Sequence, residues 1–283
     1  MASDRDGSAG LARLGVAGLL AYIVSMGLAV FGVVRGTWAV GGSDSSCYGL
    51  MADAFAHGRL QPSTPLVTAA PWPNAAITFA PGGFVPSPIN PDAAAPICAP
   101  GMPVLMAPLA ALFGTDAIFW LTPIAAATLV WCAFGIARRL AGGSAGVTAA
   151  ILTATSPIVL YQSVQPMNDI LTAALWLLAI ATIRRGAIAG LCIGLAILVR
   201  PNLAPLAVVV AALPLLDTDR DAGARRRQLI GLMMGALPGL LAVLLLNRAL
   251  YGGMLTTGYG SAAQLFGVQF VRENAAKIGR AHV

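Results

Sequence analysis

Leu14 to Val34 is a run of 21 residues without one charge. About 20 apolar residues in a helix match the thickness of a bilayer's hydrocarbon core. In lipid every backbone N–H and C=O must find its partner within the chain, so such a run folds as a helix. Further apolar runs follow at 117–137, 145–161, 170–183, 186–199, 202–216 and 229–246. Charged residues make up only 10% of the chain against 58% hydrophobic, where a soluble domain carries about 25% charged. The expected fold class is all-α, a polytopic integral membrane helix bundle of about seven transmembrane helices. The first apolar core is too long for a cleaved signal peptide and lacks a small-residue cleavage site, so it reads as a retained span.

A long outer loop, 36–101, separates the first two spans. Ser43 to Gly58 reads as a juxtamembrane helix with Ser43 or Asp44 as its N-cap. Tyr48, Met51, Ala52 and Phe55 fall on one face, and Gly58 is the stop. Pro62 to Pro103 holds eleven of the chain's 19 prolines, a density that predicts an irregular cover with no regular element. Met102 to Phe113 is apolar but too short to span and reads as an interfacial or re-entrant helix. Asp217 to Gln228 reads as a charged loop. Residues 1–10 read as a cytoplasmic tail and 11–276 as the N-terminal part of one transmembrane domain. From Ile278 the chain resembles the translation of a sequencing-library adapter. Residues 277–283 are therefore set aside as a non-native tail, which would make the chain an N-terminal fragment.

Basic residues set an orientation. With the N-terminus inside, the inner segments hold Arg5, Arg13, Arg138, Arg139, Arg184, Arg185, Arg220 and Arg225 to Arg227, a bias that favours this topology. The net charge of +6 thus marks inner loops, and no nucleic-acid partner is expected. Cys132 and Cys192 lie in apolar runs and read as small hydrophobes. Cys47 and Cys98 share the outer loop, where a disulfide and two free thiols are both open readings. His57 has no Cys or His neighbour to make a zinc pattern. No glycine-rich phosphate loop and no Ser-His-Asp signature is present.

Four stretches could carry chemistry. Gly41-Gly42-Ser43-Asp44-Ser45-Ser46-Cys47-Tyr48 puts a carboxylate just beyond the first span, as a reactive group or as a plain N-cap. Pro166-Met167-Asn168-Asp169 puts a second carboxylate at a span end, where it can reach the interface or cap a helix. Val199-Arg200-Pro201-Asn202 offers a cation that can hold a phosphate or snorkel from a helix end. Ala99-Pro100-Gly101-Met102-Pro103 is a stiff lead into the short helix, structural by default.

The order of these features resembles the GT-C class of membrane glycosyltransferases, in particular the protein O-mannosyltransferase-like and lipid A aminoarabinose transferase-like bacterial enzymes. Asp44, Tyr48 and Ala52 match the acidic juxtamembrane helix after the first span. Ala99 to Pro103, running on to Leu112-Phe113-Gly114, matches a Tyr-Pro-Pro-Gly-like lead, without its Tyr and one Pro. Ala137 to Leu140, Ser156-Pro157, Asp169 and Gly194 to Asn202 follow in the family's order. The resemblance covers residues 12 to 260. Asp44 is followed by Ser45 where many relatives have a second acidic residue.

The resemblance implies inverting transfer of a sugar from a polyprenyl-phosphate-linked donor on the periplasmic face of a bacterial inner membrane. Asp44 would be the catalytic base. Asp169 would orient the acceptor or sugar, or help hold a divalent cation. Arg200 would stabilise the departing lipid phosphate, with Tyr48, Asn168 and Asn202 as further substrate-binding residues. The expected partners are the lipid-linked donor, membrane lipid, and an acceptor that the sequence does not name. The alternative is a non-catalytic membrane protein, a transporter or lipid-binding scaffold subunit. Geometry separates the two: in an enzyme, Asp44 and Asp169 should face one outer cavity roofed by the proline-rich loop.

Overall fold

The computed structural model describes residues 15–62, 64, 72–73, 75–90, 93–217, 220–261, 267 and 269–280. The expected tail at 1–10 lies outside them, as do residues 281–283 and Pro65, Pro71 and Pro91. Helix dominates. In order come α1 (Gly15–Arg35), α2 (Ser43–Ala56), α3 (Ala75–Phe79), strands β1 (Phe84–Pro86) and β2 (Ala94–Pro96), α4 (Gly101–Phe113), and a 3-10 turn (Thr115–Trp120). Then follow α5 (Leu121–Thr155), α6 (Pro157–Ser163), α7 (Asn168–Ala181), α8 (Gly186–Val199), a second 3-10 turn (Pro201–Leu203) and α9 (Leu206–Leu216). The chain continues through α10 (Ala222–Tyr251), the two-residue strands β3 (Thr256–Thr257) and β4 (Gly260–Ser261), and α11 (Gln269–Arg280).

Among the described residues three helical stretches are long and apolar enough to cross a membrane: Gly15–Arg35, Thr115–Thr155 and Ala222–Tyr251. They become four if α6 and α7, bent by 115°, count as one span. The seven expected spans are therefore not matched by seven helices of spanning length. Helix length is the reason. Both α7 and α8 have 14 residues, about 21 Å at 1.5 Å per residue, against a hydrocarbon core of roughly 30 Å. The expected break between residues 137 and 145 is present: Ala141 and Gly142 leave helical geometry, Gly142 with φ +87°. The chain folds back there, since a Cβ on Gly146 would lie 3.0 Å from the Arg138 Cβ. In one continuous helix those residues would be about 12 Å apart.

Two further expectations change. Asp217 to Gln228 is not all loop. The Asp221 carboxylate accepts a hydrogen bond from the Ala224 amide (2.8 Å) and caps α10. Arginine, a good helix former, then extends that helix two turns outward. The proline-rich stretch also carries regular structure, namely α3 and an antiparallel hairpin pairing Phe84 with Pro96 and Pro86 with Ala94. Proline fits there because each strand is three residues long and its prolines stand at strand ends, the positions that tolerate a missing N–H.

Packing sorts the molecule into two ends. Beside the first half of α5, α1 runs antiparallel: Gly32 faces Pro123, and Ala17 faces Gly143 beyond the reversal. Arg139 donates to the Ala181 carbonyl (2.6 Å) and Gln228 to the Ile183 carbonyl (2.7 Å), which gathers the arginine-rich turns at one end. At the other end Thr37 donates its amide to Val164 (2.9 Å), and the Tyr251 hydroxyl donates to the Pro96 carbonyl (2.7 Å).

The closest helix pair is α8 against α10. Gly186, Gly190 and Gly194 on α8 meet Gly231, Gly235 and Gly239 on α10. A Cβ on Gly190 would collide with the Leu232 carbonyl, one on Gly235 with the Ala187 carbonyl, and one on Gly239 with Gly194 itself. Contacts rise in step along both helices, so the pair is parallel and α9 is the return stroke. Small residues let two backbones approach this closely.

Candidate active site

Helix α2 forms as its sequence predicts, with one correction. Its N-cap is Gly42, neither Ser43 nor Asp44. The Ser45 hydroxyl turns back to the Gly42 peptide, accepting its N–H (2.9 Å) and approaching its carbonyl (3.1 Å). Tyr48, Met51 and Ala52 are buried, which aligns the expected face with the core. Gly58, at φ +69°, ends the helix in a Schellman motif. Arg59 donates its amide to Ala54 (2.8 Å) and Gly58 to Phe55 (3.0 Å).

Asp44 is thereby released from capping. Among the described residues its carboxylate accepts no hydrogen bond and makes no ion pair. Half-buried, it lines an open cleft of about 570 Å³. Its lining is Thr37, Ala39 and Gly41 to Ser45 from one segment and Gln165, Pro166 and Met167 from another. None of the described residues of the proline-rich loop lines the cleft. That loop packs instead on the back of α2, where Gly83, at φ +85°, lies against Ser43 and Cys47. A disulfide joins Cys47 to Cys98, which resolves the two open readings of those thiols.

Asp169 follows the cleft lining by two residues but is not part of it, so the described residues do not form the expected single cavity faced by both carboxylates and roofed by the proline-rich loop. Its carboxylate pairs with the Arg200 guanidinium. Asn168 donates to the Val199 carbonyl at 3.4 Å, so the start of α7 is tied to the end of α8. Asn202 is exposed in the turn Pro201–Leu203. Gly101 lies directly on the Leu198–Val199 backbone, where any side chain would collide. The Pro-Gly lead is therefore the close contact that seats α4 beside Arg200.

Tyr48 joins the two groups. It is 3% exposed, and among the described residues its hydroxyl makes no hydrogen bond. Burial pushes its pKa far above the usual tyrosine value, and neighbouring Asp44 pushes it further. Arg200 opposes the shift, while Asp169 and Tyr259 add to it. Three of the expected site residues, Asp44, Asp169 and Arg200, thus lie within electrostatic reach of a fourth, Tyr48. Tyr259 is an addition that the sequence reading missed. The only signal for it is an aromatic residue between two glycines in Thr257-Gly258-Tyr259-Gly260.

The donor set does not fit a divalent cation. Among the described residues no three Asp, Glu, His or Cys side chains gather, Asp169 is engaged by Arg200, and Ser45 stands where a second carboxylate would be needed. What the arrangement offers is a carboxylate without a partner among the described residues in an open cleft, and a buried phenol that feels both it and the Asp169-paired Arg200. Such a set can take a proton and hold an anion.

No curated protein and no solved structure matches the chain. The family model described as dolichyl-phosphate-mannose-protein mannosyltransferase matches residues 96–246, from β2 through most of α10. That is just over half of the chain, and it includes Asp169 and Arg200 but not Asp44. With its helices of spanning length, the chain is a membrane protein that belongs to the dolichyl-phosphate-mannose-protein mannosyltransferase family.

Proposed function

We propose that this chain transfers a sugar from a polyprenyl-phosphate donor to an acceptor hydroxyl, on the outer face of a bacterial inner membrane, with inversion at the anomeric carbon. The observation that carries the reading is Asp44, a carboxylate without a partner among the described residues, lining a 570 Å³ cleft whose other side ends two residues before Asp169, the partner of Arg200. A lipid-linked donor arrives sideways through the bilayer, so its phosphate lies at the interface. The acceptor oxygen attacks the anomeric carbon from the face opposite the phosphate. Asp44 takes the hydroxyl proton as the new C–O bond forms. The old C–O bond breaks, its electron pair goes to the phosphate oxygen, and polyprenyl phosphate leaves. Arg200 draws that developing charge, and Asp169 holds the guanidinium in place until the phosphate arrives. Tyr48 keeps a neutral hydroxyl within electrostatic reach of both carboxylates and of Arg200, and Asn168 and Asn202 border the same helix ends.

Two independent features support the outer face. Arg138, Arg139, Arg184, Arg185, Arg220 and Arg225 to Arg227 gather at the end away from Asp44, as inner loops do. The Cys47–Cys98 disulfide suits an oxidising compartment.

The test is Asp44→Asn in membranes carrying the protein, supplied with radiolabelled polyprenyl-phosphate mannose and with other polyprenyl-phosphate sugars. Label transfer should fall by about 10² to 10⁴-fold, the usual worth of a general base, with unchanged melting temperature. Full transfer by the variant would overturn the base assignment. Absence of transfer by the unaltered protein with every donor would leave the scaffold reading in its place.

A further inference from the structure

We infer that the Cys47–Cys98 disulfide and the Gly101 contact form one strut that sets the separation of Asp44 from Arg200, which makes Cys47, Cys98 and Gly101 positioning residues for the transfer. The inference rests on the function proposed above.

Asp44 rides on α2, while Asp169 and Arg200 belong to α7 and the end of α8. Among the described residues α2 shares no extended interface with either of those helices; it packs on α4 and touches the edge of the turn Thr115–Trp120. Met51 on α2 and Met102 and Met106 on α4, all fully buried, belong to the one core that these two packed helices share. Methionine is unbranched and adaptable, so it fills space without fixing register. Left to that packing, α2 could slide by an ångström at little cost.

Gly83 lies against Ser43 and Cys47, and two further contacts tie α2 to the helix end that carries Arg200. Cys47 lies one helical turn after Asp44 and is bonded to Cys98. Three residues beyond Cys98, Gly101 rests on the Leu198–Val199 backbone, too close for any side chain. Pro100 and Pro103 stiffen the chain around that point. The residue after Val199 is Arg200, which pairs with Asp169, while Asn168 donates to the Val199 carbonyl. The path from carboxylate to cation is therefore Asp44, Cys47, Cys98, Gly101, Val199, Arg200, and each link is a covalent chain or a backbone contact. Of the residues lining the cleft only Ser43 to Ser45 lie on α2, so loosening the strut moves the base with that part of the lining and leaves Thr37, Ala39 and Gln165 to Met167 in place.

The experiment measures transfer of label from radiolabelled polyprenyl-phosphate mannose, or from whichever polyprenyl-phosphate sugar the unaltered protein uses, as a function of donor concentration. The variants are Cys47→Ser with Cys98→Ser, Gly101→Ala in the oxidised protein, and Asp44→Asn as reference. Misplacing a reacting group by about 1 Å costs on the order of 10²-fold. Maximal rate should fall about 10- to 100-fold in the double serine variant and in Gly101→Ala, with donor KM within about threefold. A purely stabilising disulfide would instead lower the amount of folded protein and leave the rate per folded molecule unchanged. Reducing the unaltered protein with dithiothreitol should lower the rate, and re-oxidation of the same sample should restore it. This arm needs no variant to fold. If reduction leaves the rate within twofold while Asp44→Asn abolishes it, the strut is wrong and the base stands. If Asp44→Asn is also active, the function proposed above is wrong.

Discussion

The α8–α10 seam and the α2–α4 contact solve the same packing problem in opposite ways. At the seam, glycines bring two backbones together with no side chain between them. There is little to rearrange, because the contact atoms belong to the main chain. At α2–α4 three methionines fill the gap, and a covalent bond with a single glycine contact supplies what their shape does not. The rigid seam belongs to the helices that hold Arg200 in place. The adaptable contact carries Asp44. In the reaction proposed above, the cation that receives the lipid phosphate would keep a fixed address, and the base that meets the acceptor would sit on an element that can yield and is then tethered.

The sharpest way to break that contrast is to put the same side chain into both regions. Gly190→Leu should drive a leucine into the Leu232 carbonyl and cost at least about 3 kcal/mol, enough to remove folded protein from the membrane fraction. Met51→Leu, a near volume-conserving change, should cost under about 1.5 kcal/mol. Thermal melts of the purified proteins in detergent compare the two, and equal losses would dissolve the distinction. Next in size is the tether itself. Cys47→Ser with Cys98→Ser opens a loop of sequence separation 51 and should lower apparent stability by about 2–4 kcal/mol. Hydrogen exchange should rise across Ser43–Ala56 and stay unchanged across Gly186–Val199, and a rise in both would show one cooperative unit.

A smaller effect isolates Tyr48. Its folded pKa lies above the ordinary value of 10.0, so above about pH 10 the unfolded chain loses this proton before the folded one does. Stability is therefore complete below that pH and declines as pH rises. Tyr48→Phe should flatten that alkaline decline in melts taken from pH 8 to 11; an unchanged slope would place its cause elsewhere. Smallest is the exposed cap of α10. The Ala224 amide holds the Asp221 carboxyl below its ordinary value of 3.8, so its stabilisation exists above that pH and is lost as pH falls. Asp221→Ala should lower the melting temperature slightly at neutral pH and not at all in strong acid.

Much of this was legible residue by residue. Leu14 to Val34 announces a membrane helix by length alone, and Tyr48, Met51 and Ala52 announce the buried face of α2 by spacing. Gly58 announces its end. Local rules succeed there because the decisive interactions lie within four residues of one another. They fail where the partner is remote. Gly186, Gly190 and Gly194 are visible as a stripe, but the helix they face begins 36 residues after Gly186, and nothing local names it. Asp169 and Arg200 each read as a plausible helix-end group, yet their pairing depends on how α7 and α8 close on each other. The N-cap went to Gly42 because Ser45 can serve that peptide from inside the helix, a competition between neighbours that propensity does not decide. Helix length escaped as well, since apolar runs such as 202–216 look like spans until Pro201 and Pro205 turn their first residues aside.

The disulfide also carries a timetable. Cys47 leaves the ribosome 51 residues before Cys98, about 3 to 10 seconds at ordinary rates of synthesis. For that interval α2 must wait with a reactive thiol and no partner. Cys132 and Cys192, the other two cysteines, are buried within the helix bundle and cannot compete for it. The first partner to reach Cys47 is therefore Cys98, which emerges just ahead of α4. The helix that carries Asp44 is made second and secured only then, so an incomplete chain carries its carboxylate untethered.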